Sequence, residues 1–222
     1  MNNTRKVHCT YCGLISDMPV VDTGCVSDGK PIKMYKVVCP RCGQGQWTHD
    51  KGGKQSLNIM AVDPGTTESA YVIADKETLK PVLFGKIENS SLLGGITAMI
   101  DDNQVDAVGI ELMQSYSMGV GKSTFETCYF IGRLQDRIVQ NTQIANVVPI
   151  YRSDEKMLTV GSMRANDHAI RLFLIDKFAK FDFKTGKGTK KNPDWFYGFS
   201  KDMWQAYAQV YVLKLKLEGK DK

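Results

Sequence analysis

Residues 58–73 read Asn-Ile-Met-Ala-Val-Asp-Pro-Gly-Thr-Thr-Glu-Ser-Ala-Tyr-Val-Ile. An apolar run at 59–62 ends in a single carboxylate, Asp63, and a Pro-Gly turn leads to a second apolar run at 70–73. This pattern predicts a strand, a tight turn and an antiparallel strand. A carboxylate at the end of a buried strand loses hydration energy unless a cation or hydrogen-bond donors compensate for it. Asp63 therefore indicates a polar or metal-binding site at this end of the strand.

The composition is that of an ordinary globular protein, with 222 residues, 42% hydrophobic and 24% charged, and a net charge of +5. Residues 1–56 carry eight Lys or Arg and four Asp, whereas residues 57–222 carry 21 basic and 20 acidic side chains. The basic N-terminal part favours contact with a polyanion; a basic surface that is only solvated is the alternative. No apolar run approaches the roughly 20 residues of a membrane helix, and the polar N-terminus lacks a signal-peptide core. We therefore expect a cytoplasmic protein.

The N-terminal part contains two Cys-x-x-Cys-Gly motifs separated by 26 residues. Two such turns supply four thiolates for tetrahedral zinc, which predicts a zinc ribbon over residues 1–50, followed by a Gly-containing linker at 51–57. Its apolar content is low, so zinc is expected to supply folding energy. The predicted ligands are Cys9, Cys12, Cys39 and Cys42. Other candidate ligands are His8, Cys25 and His49.

Residues 58–222 predict an α/β domain with a mixed sheet flanked by helices, because a three-strand meander is followed by alternating strands and helices. The predicted strands are 58–63, 69–75, 81–88, 105–112 and 147–151. The predicted helices are 90–101, 123–140, 153–160, 165–180 and 200–217. Cys128, on the amphipathic helix at 123–140, is expected to lie in the core.

Three acids lie at corresponding places in these elements. Asp63 and Glu111 each end an apolar strand, and Asp202 opens the last helix on the edge of its apolar face. Carboxylates from two strand ends and one helix start can converge on one spot. Such oxygen ligands suit Mg²⁺ or Mn²⁺, and two such ions are a common way to cleave phosphodiester bonds.

The segment Val-Asp-Pro-Gly-Thr-Thr at 62–67 resembles the first strand and turn of the RuvC family of Holliday-junction resolvases. Ile110-Glu111 and Asp202 are similar to the second and last acidic motifs of that family, in the same order and element context. The resemblance covers about 58–215. It implies an RNase H-like fold and a metal-dependent endonuclease acting on four-way DNA junctions, with Asp63, Glu111 and Asp202 as catalytic, Mg²⁺-binding residues. Variants of this family occur in bacteriophages, and the divergence of this chain suits a phage protein.

The closing motif departs from the family, since Gln205 stands where a second Asp is usual. Gln205 could bind a metal ion only weakly, so the site rests on three acids or uses another, such as Asp167. The resemblance also suggests DNA-binding residues in two segments. These are Tyr116 or Met118 in the loop after the second acid, where a surface loop with a packed tyrosine is the alternative, and Lys156 and Arg164 near a Lys–Thr–Gly-like segment. Lys122, at a helix start, is a further candidate for contact with a DNA phosphate.

Several alternatives stand beside this hypothesis. Residues 119–124 resemble the end of a phosphate-binding P-loop, but Tyr116 occupies the position of its first glycine. An actin-like ATPase would need a second domain. A nucleic-acid-binding protein without catalysis, and a nuclease for flaps or RNA–DNA hybrids, both remain open. The basic loop at 182–193 is either solvated or contacts phosphate. Symmetric cutting of a junction requires two active sites, so we expect a homodimer with the helix at 123–140 as a candidate interface.

Overall fold

The computed structural model describes residues 4–8, 15–27, 31–49, 57–114 and 120–221. The chain forms two compact units, Met1–Gln55 and Ser56–Lys222. Predictions that concern Cys9, Cys12, Tyr116 and Met118 lie outside the described residues. In the described part of the chain, no helix is both long and apolar enough to cross a membrane.

The first unit contains a four-stranded antiparallel sheet in which the strands follow their order along the chain. Its strands are β1 (Thr4–His8), β2 (Ile15–Ser27), β3 (Pro31–Val38) and β4 (Gly45–His49). A register shift between Val20 and Asp22 marks a bulge in β2. Met18, Val37 and Cys39 form its described buried cluster.

The second unit contains a five-stranded sheet in the order β7-β6-β5-β8-β9. Strands β5, β6 and β7 form an antiparallel meander, and β8 and β9 run parallel to β5. Its strands are β5 (Asn58–Asp63), β6 (Glu68–Asp75), β7 (Pro81–Glu88), β8 (Val105–Glu111) and β9 (Val148–Ile150). The predicted strand, turn and antiparallel strand around residue 63 are therefore confirmed.

Helices cover both faces of this sheet. They are α1 (Asn89–Asp102), α2 (Lys122–Asn141), α3 (Arg152–Thr159), α4 (Asp167–Phe178) and α5 (Met203–Leu217). Successive residues of a strand point to opposite faces, and β5 buries both. Ile59 and Ala61 pack in the cluster that contains α4 and α5, whereas Met60 and Val62 pack in the cluster that contains α1 and α2. The predicted mixed α/β sheet flanked by helices is confirmed.

Helix α2 buries one stripe and exposes the opposite side. The buried residues are Thr127, Phe130, Ile131, Leu134 and Ile138. Cys128 is exposed, so its predicted place in the core is wrong. It follows Thr127 by one residue, which rotates it by about 100° from the buried stripe. Phe125 and Tyr129 lie farther round the helix and are 64% and 70% exposed.

Candidate active site

Two carboxylates end neighbouring parallel strands. Asp63 is the last residue of β5 and Glu111 is the last residue of β8. In the ladder between these strands Val62 lies opposite Ile110, so the next residue of each strand is a neighbour of the other. The Asp63 and Glu111 side chains share a hydrogen bond. The two acids therefore meet at the carboxyl edge of the parallel strands, where ligand sites of α/β sheets usually form.

The proximity of these acids shifts their ionisation. Burial, then the charge and hydrogen bond of Glu111, and then the charge of Asp202 together raise the pKa of Asp63 from 3.8 to about 8. Burial also raises the pKa of Glu111, whereas its hydrogen bond with Asp63 lowers it. The raised pKa values favour a proton shared within this pair, with Asp63 as the donor in the hydrogen bond to Glu111. Such a perturbed pair of carboxyl groups in a cleft is typical of a functional site.

Asp202 reaches the same site from the start of α5. It occupies the N-cap position of that helix, although its side chain makes no capping hydrogen bond. Its carboxylate instead forms a 2.9 Å ion pair with Lys86 Nζ of β7, and Lys86 also lies 3.4 Å from the Glu68 carboxylate. Asp202 still acts on Asp63, because its charge contributes to the raised pKa of that residue. One lysine thus neutralises the more exposed edge of the acidic site.

Arg152, the first residue of α3, provides a second cation. Its guanidinium donates a 2.6 Å hydrogen bond to the side-chain oxygen of Gln205 and pairs with the carboxylates of Glu155 and Asp167. Its charge also lowers the pKa of Asp63, against the larger effect of burial. The Asp167 side chain is 71% exposed, so its bond to Arg152 lies at the solvent side. Gln205 is therefore turned towards Arg152 in this structure.

The sequence analysis missed two residues of the site, Glu155 and Gln209. Glu155 is completely buried in α3, and burial raises its pKa. Gln209 Nε2 of α5 donates a 2.8 Å hydrogen bond to Glu111 Oε2. Gln209 is the only amide or charged residue in the run 206–210, and a polar side chain within such a run indicates a buried polar contact. In the sequence, Glu155 has the spacing of an exposed ion-pair partner of Arg152. It also lies three residues before Leu158, on the helix face that packs against the core.

The turn after Asp63 forms the open side of the site. Its residues, with Lys86 and Asp202, line a cavity of about 290 Å³. Asn89 donates hydrogen bonds to the carbonyl oxygens of Gly65 and Thr66, at 3.0 and 3.1 Å, and so anchors the turn. A Cβ on Gly65 would lie 2.3 Å from the Glu68 carbonyl oxygen, so only glycine fits here without displacing backbone.

The site has the donor chemistry of a divalent-cation site. Among the described residues no three acidic, His or Cys side chains form a ready-made metal cluster. Instead Lys86 and Arg152 neutralise acids, and Asp63 retains a proton. Buried oxygens of Glu155 and Gln209 have no hydrogen-bond partner. Closely spaced carboxyl oxygens and unpaired buried oxygens both suit a hard cation, so these residues fit Mg²⁺ or Mn²⁺.

The remaining predicted site residues make contacts of their own, are exposed, or lie outside the described residues. Lys122 is exposed at the start of α2, 3.5 Å from Glu126, and Lys156 Nζ donates a 3.3 Å hydrogen bond to the Met163 carbonyl oxygen. Arg164 is exposed. In the first unit Cys39 is buried and Cys42 is exposed, on either side of the turn after β3. The turn closes with a left-handed glycine, Gly43, at φ +72°.

Comparison with known proteins identifies the fold. No family model and no curated protein matches the chain. The solved structure of Thermus thermophilus RuvC is similar, with a TM-score of 0.55 and 12% identity over 74% of this chain and 98% of the RuvC chain. A structure of T. thermophilus RuvC in complex with a Holliday junction substrate gives 0.54 and 10% identity over 74% and 97% of the two chains. At these identities the similarity concerns architecture, and the chain contains the RNase H-like fold of RuvC.

Proposed function

We propose that this protein is a metal-dependent endonuclease that cleaves phosphodiester bonds in branched DNA. The observation that carries the proposal is the shared hydrogen bond of Asp63 and Glu111 at the ends of neighbouring parallel strands, where the charge of Asp202 also helps to raise the pKa of Asp63. The preference for branched DNA rests on the fold, since the RuvC of similar architecture is described with a Holliday junction substrate.

Asp63, Glu111 and Asp202 would hold Mg²⁺ or Mn²⁺. A bound divalent ion would make an attacking water more acidic and stabilise the departing 3′ oxygen. Asp63 must release the proton that it shares with Glu111 before both carboxylates can bind a cation. Lys86 and Arg152 each pair with acids around the site, and Lys86 lies beside the cavity, where a backbone phosphate can accept its hydrogen bonds. Gln205 would contribute to metal binding only weakly, because its side-chain oxygen accepts a hydrogen bond from Arg152.

The DNA-contacting residues are a further part of the proposal. Lys122, Lys156 and Arg164 supply positive charge for phosphates, and the exposed position of Lys122 and Arg164 supports that role. Tyr116 or Met118, which follow β8 in the sequence, would insert between bases at the branch.

The test is cleavage of a synthetic four-way junction in Mg²⁺ or Mn²⁺. We expect the wild-type chain to cut it and Asp63→Asn to lose at least about 100-fold in rate, because a site carboxylate is removed. Asp101→Asn, an exposed acid at the end of α1, is the matched control and should keep full activity. Flaps and RNA–DNA hybrids tested in parallel decide between the junction and the other nuclease substrates.

A nucleic-acid-binding protein without catalysis is the second candidate. The pairing of Asp202 with Lys86 and of Gln205 with Arg152 favours it, since both contacts occupy side chains that would otherwise bind metal. A wild-type chain that binds the junction tightly but never cuts it, in either ion, would establish this candidate and exclude the endonuclease.

A further inference from the structure

Glu155 is a buried carboxylate whose pairing is incomplete. Its side chain is 0% exposed. One oxygen, Oε2, accepts from Arg152 Nη1, whereas Oε1 is buried without a hydrogen-bond partner. A buried carboxylate oxygen without a donor is costly, and native proteins nearly always satisfy such atoms. The free Oε1 therefore indicates that a cation or donor absent from the protein chain completes this position.

The unpaired oxygen lies with the candidate active site. The charge of Glu155 raises the pKa of Glu111, and the charge of Asp63 raises the pKa of Glu155. Gln209 connects them, because its amide nitrogen donates a 2.8 Å hydrogen bond to Glu111 Oε2 and the same side chain lowers the pKa of Glu155. The side-chain oxygen of Gln209 is itself buried and unpartnered. Two unsatisfied oxygens thus lie beside the Asp63–Glu111 pair, on helices α3 and α5 rather than on the strand ends.

Arg152 explains how these acids coexist without metal. It pairs with Glu155 and Gln205, and its third partner, Asp167, is 71% exposed. A structural ion pair would leave both Glu155 oxygens satisfied by the guanidinium or its neighbours. Here one oxygen remains open, and the site holds more carboxylates than its cations neutralise. Arg152 therefore acts as the counter-ion of Glu155 and leaves one oxygen of that carboxylate open.

We propose that Glu155 is a ligand of the divalent ion bound at Asp63 and Glu111, and that Arg152 is the cation that neutralises Glu155 in the metal-free protein. The inference rests on the proposed metal-dependent function and adds one carboxylate to its site. Oxygen ligands from two strand ends and from α3 would surround the ion, and Gln209 would orient two of the carboxylates through its amide.

Mn²⁺ binding to the full chain, without DNA, tests this by calorimetry and by the electron paramagnetic resonance signal of free Mn²⁺. We expect Glu155→Gln to weaken Mn²⁺ binding by about tenfold or more. Asp101→Asn removes an exposed acid at the end of α1, so it is the matched control and should bind like wild type. Glu155→Gln binding with wild-type affinity and stoichiometry would overturn the proposal.

The variant Arg152→Met distinguishes two roles of Glu155: a ligand of the metal ion, or a residue that only holds Arg152 in position. If Glu155 is a ligand, removing its competing cation leaves Mn²⁺ binding as tight as in wild type or tighter. The thermal stabilisation of Arg152→Met by Mn²⁺ should then exceed that of wild type, because the metal neutralises acids left unpaired. Weakening of Mn²⁺ binding in Arg152→Met equal to that in Glu155→Gln would overturn the ligand role.

If Glu155→Gln does not fold, the double variant Arg152→Met with Glu155→Gln is measured, because it removes both buried charges together. Wild-type Mn²⁺ affinity in this double variant would overturn the proposal. Asp63→Asn is measured alongside. Weak binding in Asp63→Asn with normal binding in Glu155→Gln would defeat this inference alone. Normal binding in Asp63→Asn would defeat the proposed metal-dependent function and this inference with it.

Discussion

At the residue scale, Asp63 is the side chain at which stability and the proposed function oppose each other. Its pKa is raised to about 8, first by burial and then by Glu111, so ionising it inside the folded protein is unfavourable. A chain selected only for stability would place an amide or an apolar residue there. The acid is retained in a cavity-lining position, which is typical of residues kept for binding or chemistry.

The raised pKa predicts a pH dependence of stability. The folded pKa of Asp63, about 8, exceeds its ordinary value of 3.8, so the folded chain binds the proton more tightly than the unfolded chain does. This favourable contribution is complete below about pH 4 and is lost as the pH rises towards 8. In buffer free of Mg²⁺ and Mn²⁺, Asp63→Asn should therefore be more stable than wild type at pH 8, on the order of a few kcal/mol.

Urea unfolding at pH 5 and pH 8 measures this difference. Wild type should lose stability between the two values, and Asp63→Asn should lose less; the raised pKa values of Glu111 and Glu155 leave some dependence in the variant. Asp101→Asn, which is exposed, should follow wild type. An Asp63→Asn curve that parallels wild type would contradict the assignment.

The sequence allowed part of this site to be predicted. Asp63 and Glu111 could be placed together because each ends an apolar run, and parallel strands bring such ends to one edge. Glu155 could not be placed, since a Glu three residues after an Arg on a polar helix is the usual pattern of an exposed ion pair. Its burial depends on how α3 packs against α5, which local pattern does not determine.

At the element scale, the strands and helices of the second unit follow closely from periodicity. Helix α1 was predicted at 90–101 and spans Asn89–Asp102. Ends set by capping were less predictable. Helix α4 begins at Asp167 rather than at 165, because the Asn166 side chain accepts a 2.9 Å hydrogen bond from Ala169 N. Helix α5 begins at Met203 rather than at 200, after Lys201 at φ +21°.

Helix α2 is the predicted interface of a homodimer. Its outer side presents Phe125 and Tyr129, 64% and 70% exposed, one turn apart. Large aromatic residues that neighbour each other on an exposed helix face favour a protein contact. We expect the wild-type chain to be a dimer in sedimentation equilibrium, and the double variant Phe125→Glu with Tyr129→Glu to be a monomer, because buried like charges would oppose association.

The control for this prediction places the same charge on another exposed apolar position. Leu172 of α4 is 46% exposed, and Leu172→Glu should leave the dimer intact. A wild-type chain that stays monomeric over the same concentration range, or a double variant that still dimerises, would show that α2 is not the interface.

At the scale of the whole molecule, the two units differ in how they can be stabilised. The second unit has two extended clusters of buried side chains, one on each face of its sheet. The described buried cluster of the first unit contains only Met18, Val37 and Cys39. A unit of this length, Met1–Gln55, supplies little hydrophobic free energy, and small domains of this kind usually need a metal or disulfides. This contrast supports the prediction that a Cys₄ zinc site stabilises the first unit.

The first unit should therefore bind one zinc ion per chain through Cys9, Cys12, Cys39 and Cys42. Cys39→Ser should lose the zinc, because one of the four thiolates is removed. Cys128→Ser is the matched control, since Cys128 is exposed on α2, outside both Cys-x-x-Cys motifs.

Elemental analysis of the purified chain gives the stoichiometry, and limited proteolysis reports folding of each unit. Zinc loss should expose the first unit to cleavage and leave the second intact, because the second unit has its own core. Less than one zinc per wild-type chain, or full retention in Cys39→Ser, would rule out the four-cysteine site.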